Sequence, residues 1–166
     1  MTEFKELPKR KLHRLKEYDY SQSGYYFITI CTKDKKKLLS NVGNAVLGIP
    51  PKLTEIGQMV QEAWDKMSQI DAYIRTDEFC IMPNHIHGII VIENGITERR
   101  RRRSLQSLVA GFKSVTTRKY KGYTGKNSSL WQSSYYDVVI KNEAQLYETR
   151  KYIMENPLKW TLDEYY

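Results

Sequence analysis

Residues 72–92, AYIRTDEFCIMPNHIHGIIVI, decide the fold. Two runs rich in β-branched and aromatic residues, Ala72 to Met82 and His85 to Ile92, flank Pro83-Asn84, a tight-turn dipeptide, so the segment reads as a β-hairpin. The second run is strongly apolar, yet it gives two alternate positions to His85 and His87. Side chains alternate along a strand, so both imidazoles point to one face, within reach of a single metal ion or a single phosphate. A pair of surface histidines just past a turn is the plainer alternative, because an HxH pair by itself is common.

Working outward from the hairpin, Tyr25 to Thr32 (YYFITICT) is a further strand by the same criteria. It is followed by loop chemistry at Asn41, Gly43, Asn44 and Pro50-Pro51. From Thr54 the apolar positions fall at Ile56, Met59, Val60, Ala63, Trp64 and Met67, one face of an amphipathic helix. After the hairpin, residues 93–103 form a polar, arginine-rich connection. Ser104 opens a helix with Leu105, Leu108, Val109, Phe112 and Val115 on one side. Lys121 to Ser129 reads as a loop and Leu130 to Ile140 contains a strand. Asn142 is placed as an N-cap with Gln145 three residues on, as in a capping box. The final helix runs from about Glu143 to Asn156 and is stopped by Pro157.

The order β-α-β-β-α-β plus a C-terminal helix predicts an α+β protein. Its expected core is a ferredoxin-like antiparallel sheet with helices on one face. The expected organisation is a basic arm over residues 1–24 that wraps the domain or meets nucleic acid, one domain over 25–160 and a short tail over 161–166, without internal repeats.

The chain has 166 residues, enough to bury a core without disulfides or a structural metal. It contains no run of eighteen apolar residues, which excludes a transmembrane helix, and its first residues lack the apolar stretch of a secretory signal, so the cytoplasm is the expected compartment. Cys31 and Cys80 are too few and too isolated for a disulfide framework. The net charge of +8, from 27 basic and 19 acidic residues, is clustered. Basic groups gather at Lys9 to Lys16, at Lys33 to Lys37, at the run Arg99, Arg100, Arg101, Arg102 and Arg103, and at Lys113, Arg118, Lys119 and Lys121. Clusters of this kind suit a polyanion, because each neutralised phosphate releases counterions. A solvated basic surface is the alternative. Thirteen tyrosines add stacking surface for bases or ordinary packing.

On the last helix, at about 100° per residue, Leu146, Tyr147, Ile153 and Met154 gather into one arc, and Tyr152 falls roughly 160° from its middle. Asn156, one turn later, shares the Tyr152 side. Tyr135, Tyr136 and Tyr147 compete with Tyr152 for any nucleophilic role. A phenol, an amide oxygen and two imidazoles around one divalent ion form a workable kit for attacking a phosphodiester and storing its bond energy as a phosphotyrosine.

The segment Met82-Pro83-Asn84-His85-Ile86-His87-Gly88 resembles the MP(D/N)HxH motif of the HUH-type single-tyrosine transposases. Gly111-Phe112-Lys113-Ser114, Leu130-Trp131-Gln132-Ser133-Ser134-Tyr135-Tyr136-Asp137 and Tyr152 to Trp160 (YIMENPLKW) resemble segments of the REP-associated branch of that family, in the right order from about Tyr25 to Trp160. The resemblance implies a metal-dependent single-stranded DNA endonuclease and strand transferase that cleaves near hairpin or repeat elements. It further implies a Mg2+ or Mn2+ cofactor and a 5′-phosphotyrosine intermediate. Carried over residue by residue, Tyr152 is the expected nucleophile and His85 and His87 are the expected metal ligands. Asn156 stands where these enzymes often have Gln and is the expected third ligand, with Glu155 as its substitute. The run Arg99 to Arg103 matches no motif of the family and reads as a flexible phosphate clamp or a merely solubilising loop; on charge, it and Lys113, Arg118 and Lys119 are the expected DNA contacts, and single-stranded or hairpin DNA is the expected partner, with a homodimer open. Two other classes fit parts of the pattern: a non-catalytic hairpin or single-stranded DNA-binding protein derived from a transposase, and an RNA-binding domain of the same strand order, which the lack of an RNP-like strand disfavours.

Overall fold

The computed structural model describes residues 14–42, 51–95 and 103–162. In chain order the elements are β1 (Gly24–Cys31), β2 (Ser40–Asn41), β3 (Lys52–Leu53), α1 (Glu55–Asp65), β4 (Ile74–Ile81), β5 (His85–Ile92), α2 (Leu105–Thr124), β6 (Tyr136–Ile140) and α3 (Glu143–Glu155), with 3-10 turns between them and a last one over Asn156–Leu162. Four strands form one antiparallel sheet in the order β4-β5-β1-β6, the ferredoxin-like α+β arrangement expected. The predicted turn closes the β4–β5 hairpin, with Met82 N–H donating to the His85 carbonyl at 2.9 Å. Each main helix starts on a polar cap, satisfying an N–H that has no partner within the helix. Thr54 Oγ1 accepts from Gly57 N–H at 3.0 Å, Ser104 Oγ from Ser107 N–H at 3.2 Å and Asn142 Oδ1 from Gln145 N–H at 2.8 Å.

The pleat divides the side chains of the sheet between two unequal layers. Tyr26, Ile28 and Ile30 of β1 and Ile86, Ile90 and Ile92 of β5 face α1 and α2, meeting Val60, Trp64, Leu108 and Phe112. On the other face, Ile89, Val91 and Ile140 form a smaller cluster with Leu146 and Ile153 of α3, with Tyr25, Phe27 and Cys80 packed against it. The two crossover helices therefore share one face, and α3 covers the opposite one. A strand apolar on both sides needs cover on both sides. At about 1.5–3 kcal/mol per buried aliphatic side chain, the two α3 anchors contribute on the order of 3–6 kcal/mol, well below what α2 gains from its longer buried stripe.

Two features depart from expectation, one in α2 and one in α3. α2 continues through Gly122 to Thr124 and ends at Gly125, whose φ of 68° supplies the left-handed cap, so half of the expected 121–129 loop is helix. Residues 14–23, part of the expected arm, lie against the domain, one of the two placements expected for it: Tyr20 is buried in the α1/α2 core, and Arg14 Nε meets Asp137 Oδ1 at 3.4 Å. On α3, Tyr147 and Met154 are exposed, because α3 buries only a narrow stripe. Residues 1–13, 43–50, 96–102 and 163–166 lie outside the described residues. Among the described residues, no helix is long and apolar enough to cross a membrane.

Gly88 lies between His87 and Ile89 on the α1 side of β5. A Cβ there would sit 2.4 Å from Cη2 and 2.7 Å from Cζ2 of Trp64, whose ring stacks on Phe79 with centroids 4.2 Å apart. Neither ring can retreat without breaking that stack. Gly88→Ala is expected to destabilise the protein by about 1–3 kcal/mol through overpacking, read as a lower urea midpoint with an unchanged slope.

Candidate active site on the histidine face of the sheet

His85 and His87 lie on the α3 face of β5, both buried, as strand alternation requires. Their Nε2 atoms face each other at 3.0 Å. The Nδ1 atoms point away from each other to separate partners. His85 Nδ1–H donates to Asn84 Oδ1 at 2.8 Å, which leaves a lone pair on His85 Nε2. His87 Nδ1 meets Thr29 Oγ1 at 2.8 Å, and this hydroxyl can donate to or accept from the ring, so it serves either tautomer of His87. Thr29 is opposite His87 in the β1–β5 register, which is why it reaches the ring. Phe27, two residues back on the same face, stacks on His87 with centroids 5.5 Å apart.

The roof over this pair comes from α3 and the 3-10 turn after it. Tyr152, Asn156 and Trp160 follow at intervals of four. Tyr152 packs edge-on to His87 (centroids 5.2 Å apart), its Oη lies 3.4 Å from His87 Nε2, and the residue is 42% exposed. Trp160 stacks on His85 with centroids 5.9 Å apart. Asn156, between them in sequence, is buried, and its Oδ1 has no hydrogen-bond partner. A buried acceptor left without a donor costs free energy, so this oxygen is suited to a cation or a water. Glu155 instead pairs with Lys159 at the surface.

Two imidazole nitrogens 3.0 Å apart match two adjacent ligands on an octahedral ion with bonds of about 2.1 Å, for which the separation is about 3.0 Å. Hydrogen bonds on the far nitrogens are the usual way to hold ligand imidazoles in place. Among the described residues no group of three or more His, Cys, Asp and Glu could hold a metal. A third protein donor beside the pair therefore has to be of another type, and the Asn156 amide oxygen has the right chemistry.

The other tyrosines are placed differently. Tyr135 belongs to the α1/α2 side, under the Arg14 guanidinium at 4.7 Å, and burial pushes its phenol up to about 12. Tyr147 is exposed on α3. Tyr136 shares the histidine face and touches Phe27 edge-on at 6.4 Å. Among the expected DNA contacts, Arg103 and Arg118 are exposed. Lys119 pairs with Glu62 at 3.0 Å, and Lys113 Nζ donates to the Gln132 and Ser133 carbonyls at 2.6 and 3.0 Å. Burial and the nearby Arg14 push the Lys113 ammonium down. Lys113, Ser114, Thr117, Arg118, Lys121 and Ser129 line an open groove of about 450 Å³ on α2, which packs across the sheet from the histidines. Arg99 to Arg102 lie outside the described residues. Sequence reasoning did not assign roles to Thr29, Asn84 or Trp160; the signal available was strand pairing for Thr29 and the four-residue interval from Asn156 for Trp160.

Residues 20–156 match the family model described as "Transposase IS200 like". An uncharacterized protein of Haemophilus influenzae is 33% identical over 175 residues, covering 95% of this chain and 93% of that protein. The fold is similar to that of a REP-associated tyrosine transposase solved bound to a REP hairpin, with a TM-score of 0.61 and 17% identity over 91% of this chain and 76% of the other. The family match takes in β1, the histidine strand and α3 as far as Asn156, and the chain belongs to the IS200-like transposase family.

Proposed function

We propose that this transposase is a metal-dependent single-stranded DNA endonuclease and strand transferase, with Tyr152 as nucleophile and His85, His87 and Asn156 holding Mg2+ or Mn2+. The observation that carries the reading is the convergence of two buried Nε2 atoms at 3.0 Å under the Tyr152 hydroxyl. A divalent ion held there would polarise the scissile phosphate and stabilise charge on its oxygens. Tyr152 is exposed enough to meet a phosphate arriving from solvent. Its Oη bonds to phosphorus as the bond from phosphorus to the 3′ oxygen breaks; the phenolic proton passes to water, and the departing oxygen ends as a 3′-hydroxyl. The phosphotyrosine keeps the bond energy for rejoining when a 3′-hydroxyl attacks it. Asn84 and Thr29 hold the imidazoles in orientation, and Trp160 shields His85 from water.

The substrate in this reading is single-stranded DNA beside a hairpin. The basic surface supports it, as does the fold shared with a transposase solved with a REP hairpin. Among the expected contacts, Arg103 and Arg118 are exposed and free to meet phosphates away from the histidine face. Lys113 and Lys119 contribute positive charge while tying elements together, and Arg99 to Arg102 extend the same charge run.

Incubation of the protein with Mn2+ and a single-stranded hairpin oligonucleotide is expected to give a covalent protein–DNA product on a denaturing gel. Tyr152→Phe should bind the DNA without forming it, whereas Tyr136→Phe should form it. Adduct from the Tyr152 variant would move the nucleophile elsewhere, and no wild-type adduct on any hairpin would favour a binding protein. Thr29→Val keeps the side-chain shape and removes the His87 partner; calorimetric titration should show Mn2+ affinity about 10- to 100-fold weaker. Arg118→Ala should weaken DNA binding about equally across sequences and lower the slope of log affinity against log salt by roughly one.

A further inference from the structure

α3 rests on its sheet along a narrow line. Its two buried residues, Leu146 and Ile153, are two turns apart, and a helix seated on such a line has little to stop it rolling about its own axis. Helical phase places Tyr152 and Asn156 on one flank of that line and Arg150 on the other. On the Arg150 flank the guanidinium grips Asp77 of β4 with two parallel contacts, Nε to Oδ1 at 3.0 Å and Nη2 to Oδ2 at 2.5 Å. The carboxylate is itself held in place. Asp77 sits where the β4–β5 register shifts, between Thr76 and Phe79, and its Oδ1 also accepts from Glu78 N–H at 2.7 Å. Only 13% of its side chain is exposed, against 38% for Arg150. The arginine neighbour holds the Asp77 carboxyl below its ordinary range, so the pair is charged at neutral pH. Bidentate pairing adds directional restraint to attraction, which a single lysine contact would not supply.

We infer that Asp77 and Arg150 are positioning residues: the pair fixes the roll of α3 and thereby the height of the Tyr152 hydroxyl above His87. Neither residue touches the reacting atoms. With side-chain tips about 6 Å from a helix axis, a roll of about 10° moves a tip by about 1 Å. Such a displacement can cost on the order of a hundredfold in rate. The lever is asymmetric, since the ion pair restrains the flank opposite the tyrosine while the apolar line acts as pivot. This inference rests on the assignment of Tyr152 as nucleophile, but the restraint on α3 can be measured without catalysis.

The test uses the full chain with Asp77→Asn, Arg150→Gln, Arg150→Lys and the exchanged pair Asp77→Arg with Arg150→Asp. Two readouts are taken: single-turnover cleavage of a hairpin oligonucleotide with Mn2+, and amide hydrogen exchange resolved by segment. The single variants are expected to bind the oligonucleotide within about twofold of wild type and to cleave about 10- to 100-fold more slowly. Exchange should speed up in 143–155 and stay unchanged in 24–31 and 85–92. Arg150→Lys should fall between, and the exchanged pair should recover much of the loss, as a coupled pair does. Wild-type cleavage and exchange in both neutral variants overturns the inference. DNA affinity falling in step with the rate also overturns it, making Arg150 a DNA contact. Faster exchange across the whole sheet assigns the pair to general stability and overturns it too. If α3 loosens as expected but the wild type never cleaves, the nucleophile assignment fails while the restraint on the helix stands.

Discussion

The antiparallel register of β1 against β5 governs everything built on this sheet. Thr29 faces His87 and Cys31 faces His85, so hydroxyl and imidazole meet on one surface while Ile28, Ile30 and Ile86 go to the other. A slip of one residue would turn both histidines into the apolar layer under α1 and α2, where Trp64 and Phe112 leave no partner for an imidazole. Gly88 reinforces the register, because the Trp64 ring accepts only a bare Cα at that point of β5. The large hydrophobic layer thus selects the orientation of polar groups it never touches.

The two faces of the sheet divide the labour. The α1/α2 face is deeply packed and takes in Tyr20 from the segment preceding β1. The α3 face has a small apolar cluster and gives the rest of its area to Thr29, His85, His87, Asn156 and the rings around them. The buried polar groups sit on a well-packed floor under a roof with a small apolar footing, the kind of region from which ligand-admitting elements are drawn. The Asn156 oxygen is buried at this roof without a hydrogen-bond partner.

Much of this was legible from residue order. The span of β5, the pairing of His85 with His87 on one face, the helix starts at Thr54 and Ser104 and the Asn142 cap all follow from local rules of alternation, periodicity and capping, and local rules need no partner from elsewhere in the chain. The ferredoxin-like order followed from the sequence of elements. What escaped was long-range or weakly patterned. The face covered by α3 was not legible, since its apolar arc included Tyr147 and Met154, which solvent claims. The helical run through Gly122 hid behind a residue usually read as a breaker. Thr29, Trp160 and the Asp77–Arg150 pair depend on segments tens of residues apart. For the candidate site, spacing and helical phase left the two histidines and Tyr152 as candidates among alternatives, the family resemblance singled them out, and the neighbours around them came only from tertiary packing.

The shifted register at Asp77 has a colloidal consequence. β4 is an outer strand, and an outer strand with a regular ladder of free backbone groups is a template for another chain. The irregularity between Thr76 and Phe79 breaks that ladder midway, and Arg75, Asp77 and Glu78 line the break with charge. At the other margin β6 is only five residues long. A sheet with one interrupted margin and one short one is a poor seed for fibrillar growth, a useful property in a protein whose central strand, HIHGIIVI, would stack readily if exposed.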